Sequence, residues 1–118
     1  MTEHNSQAGA DFIAIPNIES LIATITPDSI VSRTVYQGAN LRIILFGFAP
    51  GQELSEHTSS KEAVLHFLSG AATVTLGKAA EGGETLTAQP GTLIRMRPQL
   101  PHTVVAQTDT LMLLSMIG

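Results

Sequence analysis

The sequence predicts an all-β domain that folds as a sandwich or a barrel. Short apolar or alternating runs recur along most of the chain, and glycine, proline and asparagine separate them. Seven or eight short strands at this spacing are typical of a sandwich or a barrel. Helical periodicity is confined to Asn17 to Ala23, where Ile18, Leu21 and Ile22 have helix-like spacing. This segment predicts one or two helical turns at most.

Each run is bounded by residues that favour turns. We expect seven or eight strands from the runs at residues 30–37, 41–49, 54–57, 62–68, 71–76, 84–88, 92–96, 102–107 and 110–117. Gly38-Ala39-Asn40 predicts a hairpin between the first two runs. Ser69-Gly70 predicts a second, tight hairpin between the fourth and fifth runs. Pro90-Gly91 turns the chain into the run at 92–96, and a loop from Pro98 to Pro101 precedes the run at 102–107.

The chain length of 118 residues allows one domain, which we place at residues 12–118. The polar segment 1–11 predicts a disordered tail, and it lacks the basic and apolar regions of a signal peptide. The chain contains no cysteine, which excludes disulfides, thiolate metal sites and a cysteine nucleophile.

The ten acidic and six basic residues give a net charge of −4 and form no basic stripe, so we expect no nucleic-acid partner. No apolar run approaches the roughly twenty residues that a membrane span requires. We therefore expect a soluble, cytoplasmic protein with no membrane partner.

Two strands are apolar on both faces. In the run 41–49, Ile43 and Leu45 have one parity, while Ile44 and Phe46 have the other, and the run 111–117 is similar. An antiparallel sheet with one wet face should alternate cleanly, so the outer face of these strands should be covered. The cover can be the N-terminal segment of the same chain or a second subunit. We predict a homodimer.

Two stretches resemble the motifs of the cupin superfamily. Gly51-Gln-Glu-Leu-Ser-Glu-His57, followed by Gly70, resembles the first motif, G-x5-H-x-H-x3-4-E-x6-G. Gly91, Pro98 and Pro101-His102 resemble the second, G-x5-P-x-G-x2-H-x3-N. The resemblance covers residue 30 to the C-terminus and is to small single-domain cupins. It implies a double-stranded β-helix, or jelly-roll barrel, with a site inside its open end.

The resemblance also implies a ligand set. In metal-binding cupins two histidines and a glutamate of the first motif and one histidine of the second hold a divalent ion such as iron, manganese, nickel or zinc. Here His57 and His102 match the first and last of these ligands. Ser59 stands at the second histidine position and Ala63 at the glutamate position, so the metal motif is degenerate.

A third metal ligand would have to come from elsewhere, because two imidazoles are too few for a tight site. Glu62 and His66 are the local candidates. Since strand side chains alternate between faces, Glu62 and His66 point outward if Ala63 points into the barrel. Glu62 would enter the barrel only if the register slipped, and His66 only through a bulge.

Three functions remain open, and whether the chain is an enzyme is left undecided. The first is a binding module that holds a small molecule in the barrel, with His57 and His102 as polar anchors. The second is a metalloenzyme, dioxygenase-like or isomerase-like, that uses both histidines and a third ligand. The third is a structural barrel filled by its own side chains. The predicted pocket lining is His57, Ser59, Leu65, Phe67, Met96, His102 and Val104.

Overall fold

A computed structural model describes residues 11–118, apart from the side chains of Glu56, His57 and Ala79. The predicted tail lies outside this range except for Asp11. The described chain forms two short 3-10 helices, Ile18–Leu21 and Ala79–Glu81, and nine strands. The strands are β1 (Ile30–Gln37), β2 (Leu41–Phe48), β3 (Glu53–His57), β4 (Glu62–Ser69), β5 (Ala72–Leu76), β6 (Glu84–Ala88), β7 (Leu93–Met96), β8 (His102–Ala106) and β9 (Thr110–Ile117).

The strands form two antiparallel sheets. The five-stranded sheet has the order β1-β2-β9-β4-β7, and the four-stranded sheet has the order β3-β8-β5-β6. Every pair of neighbours joins an odd-numbered strand to an even-numbered one, so all odd strands of a sheet run in the same direction. Two facing sheets with this order form a jelly-roll barrel, which confirms the fold class predicted from the sequence.

All nine apolar runs form strands, with boundaries within one residue of the predicted ones, so the expected count of seven or eight was too low. The hairpin at Gly38-Ala39-Asn40 is confirmed, because β1 pairs with β2. The predicted helical segment forms a single 3-10 turn at Ile18–Leu21.

The predicted hairpin at Ser69-Gly70 is wrong, because β4 and β5 belong to different sheets. Gly70 has a φ of 83°, and a Cβ added there would lie 2.1 Å from the carbonyl oxygen of Asp109. The carbonyl of Ala71 accepts a hydrogen bond from the amide of Gln107 at 2.8 Å. The chain therefore turns against the β8–β9 connection and crosses from one sheet to the other.

Side chains that alternate inward from both sheets form the main core. Phe48, Phe67 and Val74 are fully buried in it. The β4 pattern alternates between buried and half-buried positions, with Ala63, Leu65 and Phe67 on the inner face, as the sequence predicts. Burial of this apolar surface is the main stabilising contribution of the barrel.

A second, smaller core lies on the outer face of the five-stranded sheet. Residues of the segment 13–25 pack there against Val35, Leu45 and Leu111. Arg33 Nη1 donates a hydrogen bond to the carbonyl of Leu21 at 3.0 Å and so ties the segment to β1. The N-terminal segment is therefore the cover of this part of the face, which is one of the two alternatives left open by the sequence.

Candidate functional site

The connections of the barrel fall into two groups. Because odd and even strands run in opposite directions, the connections that follow odd strands lie at one end of the barrel. They are residues 38–40, 58–61, 77–83 and 97–101, and we call this end the histidine end because β3 finishes and β8 begins there. At the opposite end the core is filled by the fully buried Phe48 and Phe67.

His57 and His102 are brought together at the histidine end by strand pairing. They are direct partners in the β3–β8 register, after an irregularity that follows Leu54. His102 is 6% exposed, and its Nδ1 donates to the carbonyl of Leu100 at 2.9 Å. A carbonyl can only accept, so Nδ1 carries the proton in this bond, which fixes the orientation of the ring.

The strand register connects His102 to residues of two further strands of the four-stranded sheet. His102 pairs with Leu76 of β5, and Leu76 pairs with Glu84 of β6. Paired residues share a face, so Glu84 lies on the same face of the sheet as His102 and Val104. The sequence analysis missed Glu84, because its position opposite Leu76 depends on the β5–β6 register.

The predicted apolar pocket residues all lie on the inner face. Leu65, Phe67, Met96 and Val104 are at most 2% exposed and belong to the main core. Their role as pocket lining stays a prediction.

Ser59 lies in the β3–β4 connection at the same end. Its Oγ accepts from the amide of Lys61 at 3.1 Å, and its carbonyl accepts from the amide of Gln99 at 2.7 Å. The residue therefore links two connections of the histidine end.

The described residues do not fit a tightly held divalent ion. Ala63 is 3% exposed and lies between Met96 and Met116 in the sheet, so no oxygen or nitrogen ligand comes from the glutamate position. Among the described residues no group of three or more histidine, aspartate and glutamate side chains is placed to bind a metal.

Neither candidate third ligand reaches the inner face of the barrel. Glu62 forms an ion pair with Arg95, with 2.5 Å between Oε2 and Nε, and both side chains are solvent-accessible. His66 alternates with the inward Leu65 and Phe67 and pairs with Leu93 on the outer face. The register slip or bulge that either would need does not occur at these positions, because β4 pairs regularly from Glu62 to Phe67.

An open groove of about 510 Å³ lies at the histidine end, between the β5–β6 and β7–β8 connections. Leu76 and Leu100 form its apolar part and pack against the main core. Its polar lining includes Lys78, Glu81, Glu84 and Arg97. The volume is within the usual range for small-molecule sites, and His102 adjoins it through Leu76 and Leu100.

The two facing sheets and the groove at the histidine end together define a single-domain jelly-roll barrel with a candidate ligand site at one end. The family of cupin domains matches residues 44–118, which is more than half of the chain. The protein therefore belongs to the cupin family. No curated protein sequence matches it. Within the described range, no helix is long and apolar enough to cross a membrane.

Solved structures of bacterial proteins resemble the whole barrel. A conserved protein of unknown function from Streptococcus pyogenes has a TM-score of 0.77 and 28% identity, covering 99% of this chain and 95% of its own. A cupin superfamily protein from Desulfitobacterium hafniense has a TM-score of 0.76 and 21% identity, with 85% and 86% covered. A protein from Thermus thermophilus has a TM-score of 0.75 and 23% identity, with 87% and 95% covered. These likenesses establish the fold.

Proposed function

We propose that this cupin is a binding module that holds a small organic molecule at the histidine end of its barrel. The observation that carries the proposal is the groove beside the buried imidazole of His102, whose orientation the Leu100 carbonyl fixes. A concave site with an apolar part and a few convergent polar groups is the usual form of a small-molecule site. In this proposal His102, and His57 beside it in the register, are the polar anchors.

The apolar part of the ligand would contact Leu76 and Leu100. Both side chains are partly buried against the main core, so the barrel holds them in place before a ligand arrives. Preorganisation of this kind reduces the entropy that binding must offset. A ligand would therefore bind without rearrangement of the strands.

The experiment is a screen of small molecules by amide NMR of the full chain. We expect binders to shift the amide resonances of Gly77, Leu100 and His102, which lie around the groove. Replacing His102 with Gln should weaken binding about fivefold, because one hydrogen bond contributes about 1 kcal/mol.

The matched control is His66→Gln, since His66 is a half-buried histidine on the outer face of β4. We expect this variant to bind as the wild type does. The proposal is wrong if binders shift only resonances away from the groove, or if both variants bind with unchanged affinity.

A further inference from the structure

Two methionines flank Ala63 on the inner face of the five-stranded sheet. Met96 of β7 pairs with Ala63 from one side, and Met116 of β9 pairs with it from the other. Paired residues share a face, so both thioether side chains lie on the face of Ala63. Met96 is 2% exposed, and Met116 is half-buried and packs against the main core.

The spacing of these two methionines suits one ion held between them. Neighbouring strands lie about 4.8 Å apart, so the backbones of Met96 and Met116 are separated by about 10 Å. Ala63 between them has only a methyl group, so its side chain does not keep the two thioethers apart. Methionine is unbranched and flexible, so both sulfur atoms can turn toward one point above Ala63.

His102 lies at the same end of the barrel on the facing sheet. Met96 is the last residue of β7 and His102 is the first residue of β8, so both border the connection 97–101. Two packed sheets lie about 10 Å apart, and the side chains of their inner faces interdigitate. The buried imidazole of His102 therefore faces the end of the sheet that bears Met96 and Met116.

The hydrogen bond of His102 is of the kind that metal-binding histidines make. Its Nδ1 donates to the carbonyl of Leu100 at 2.9 Å. A histidine that binds a metal through one ring nitrogen usually donates a hydrogen bond from the other, often to a backbone carbonyl, and this bond orients the ring.

Thioether and imidazole ligands differ in chemistry from the ligands of the cupin metal motif. Thioether sulfur is a soft ligand that suits Cu⁺, whereas Mn²⁺ takes oxygen ligands and Zn²⁺ is bound by thiolate, imidazole and carboxylate. Two charged residues extend the same registers. Arg42 pairs with Met116, and Glu84 pairs with Leu76. Both are exposed and of opposite charge, so together they add no net charge to the site.

We propose that Met96, Met116 and His102 form a site for a soft monovalent ion, Cu⁺ or its analogue Ag⁺, on the inner face of the barrel. The position of the missing carboxylate at Ala63 is thus flanked by two sulfur ligands, which agrees with the poor fit of the described residues to a divalent ion. The site lies inside the barrel and goes beyond the binding function proposed for the groove.

The experiment titrates the full chain, with isotope-labelled methionine methyl groups, with Ag⁺ in chloride-free buffer and follows the methyl resonances by NMR. Each methyl group is bonded to the sulfur atom that would bind the ion. We expect the resonances of Met96 and Met116 to shift together. The resonance of Met112 should not move, since Met112 lies four residues before Met116, about 13 Å away along the strand. Zn²⁺ should shift none of the three.

Leucine variants measure the contribution of each sulfur atom. Methionine and leucine have nearly the same volume, so the core should accept Met96→Leu and Met116→Leu. Each should weaken Cu⁺ binding, measured without oxygen against a chromogenic chelator, by about tenfold or more, since loss of even an outer partner of a metal ligand typically costs about 10–100-fold. Met112→Leu is the matched control, because Met112 is also buried in the main core, and it should bind Cu⁺ as the wild type does.

The proposal is overturned if Ag⁺ shifts neither Met96 nor Met116, or only one of them, because the two thioethers then do not share an ion. It is also overturned if Met96→Leu and Met116→Leu bind Cu⁺ as tightly as the wild type, or if Met112→Leu weakens binding as much as they do. None of these results bears on the groove, which the small-molecule screen tests separately.

Discussion

At the scale of single residues, the positions where this chain lacks a metal ligand of the cupin motif are as informative about the site as the two histidines that it keeps. Ala63 stands where the resemblance predicts a glutamate, and it is buried between two methionines. A carboxylate there would be desolvated, and burial of a charge without a partner is strongly unfavourable. The residues around position 63 therefore accommodate an apolar side chain and would not stabilise an unpaired carboxylate.

This arrangement predicts how the protein responds to metals. Added Mn²⁺ or Zn²⁺ should leave the Tm of the wild type unchanged. Ala63→Glu restores the glutamate of the motif, so its Tm should be lower without metal and should rise on metal addition. Binding at a hundred times Kd stabilises a protein by about 2.7 kcal/mol. The measurement is thermal unfolding with and without metal.

Val64→Glu is the control, since Val64 is the neighbouring residue on the outer face of β4 and should give no metal-dependent rise. A wild-type Tm that rises with metal, and no longer does so in His102→Gln, would show that the site holds a metal with the ligands it has.

At the scale of elements, the connection between β4 and β5 determines how the barrel closes. Gly70 has a left-handed φ, which favours glycine, and it lies against the backbone of the β8–β9 connection, which leaves no room for a Cβ atom. Position 70 therefore requires glycine for two separate reasons. Gly51 has the same φ of 83°, but a Cβ there would meet nothing within 4 Å. A substitution at Gly51 therefore tests backbone strain alone, whereas a substitution at Gly70 tests backbone strain together with steric overlap.

We expect Gly70→Ala to lower the free energy of unfolding by about 3 kcal/mol or more, because strain and overlap with Asp109 add. Gly51→Ala should lower it by about 1 kcal/mol, from backbone strain alone. Urea denaturation of both variants measures the difference. Equal losses of stability would contradict the role assigned to the Gly70 corner.

At the scale of the whole molecule, the residues that the structure describes cover the outer face of the five-stranded sheet only in part. The segment 13–25 packs over β1, β2 and β9. Leu93 of β7 and Ile117 of β9 remain 62% and 42% exposed. The homodimer predicted from the sequence therefore stays a prediction, and the surface available for it is the part of this sheet near β4 and β7.

If the dimer forms there, the wild type should sediment as a dimer at micromolar concentration and Leu93→Lys should sediment as a monomer, because a charge replaces the apolar contact. Thr85→Lys is the control, since Thr85 is an exposed residue on the other sheet, and it should remain dimeric. A monomeric wild type in sedimentation velocity would refute the dimer.

The sequence by itself determined the local features of this protein. Alternation of apolar residues and the turn residues between the runs located all nine strands, and the alternation in β4 placed Glu62 and His66 outside the barrel. These are properties of neighbouring residues, since side chains of a strand alternate faces wherever the strand lies. The resemblance to the cupin motifs implied that His57 and His102 occupy ligand positions of one site, and the β3–β8 register makes them direct partners.

Only the tertiary structure decided which strands pair and which side chains lie together at each end of the barrel. Ser69-Gly70 has the composition of a hairpin, and only the contact of Gly70 with Asp109 makes it a crossing between sheets. Glu84 shares a face with His102 only through two strand registers. Lys78 and Arg97 meet at one groove because odd and even strands alternate in direction. Such pairings join residues far apart in the chain, so no local pattern of the sequence specifies them.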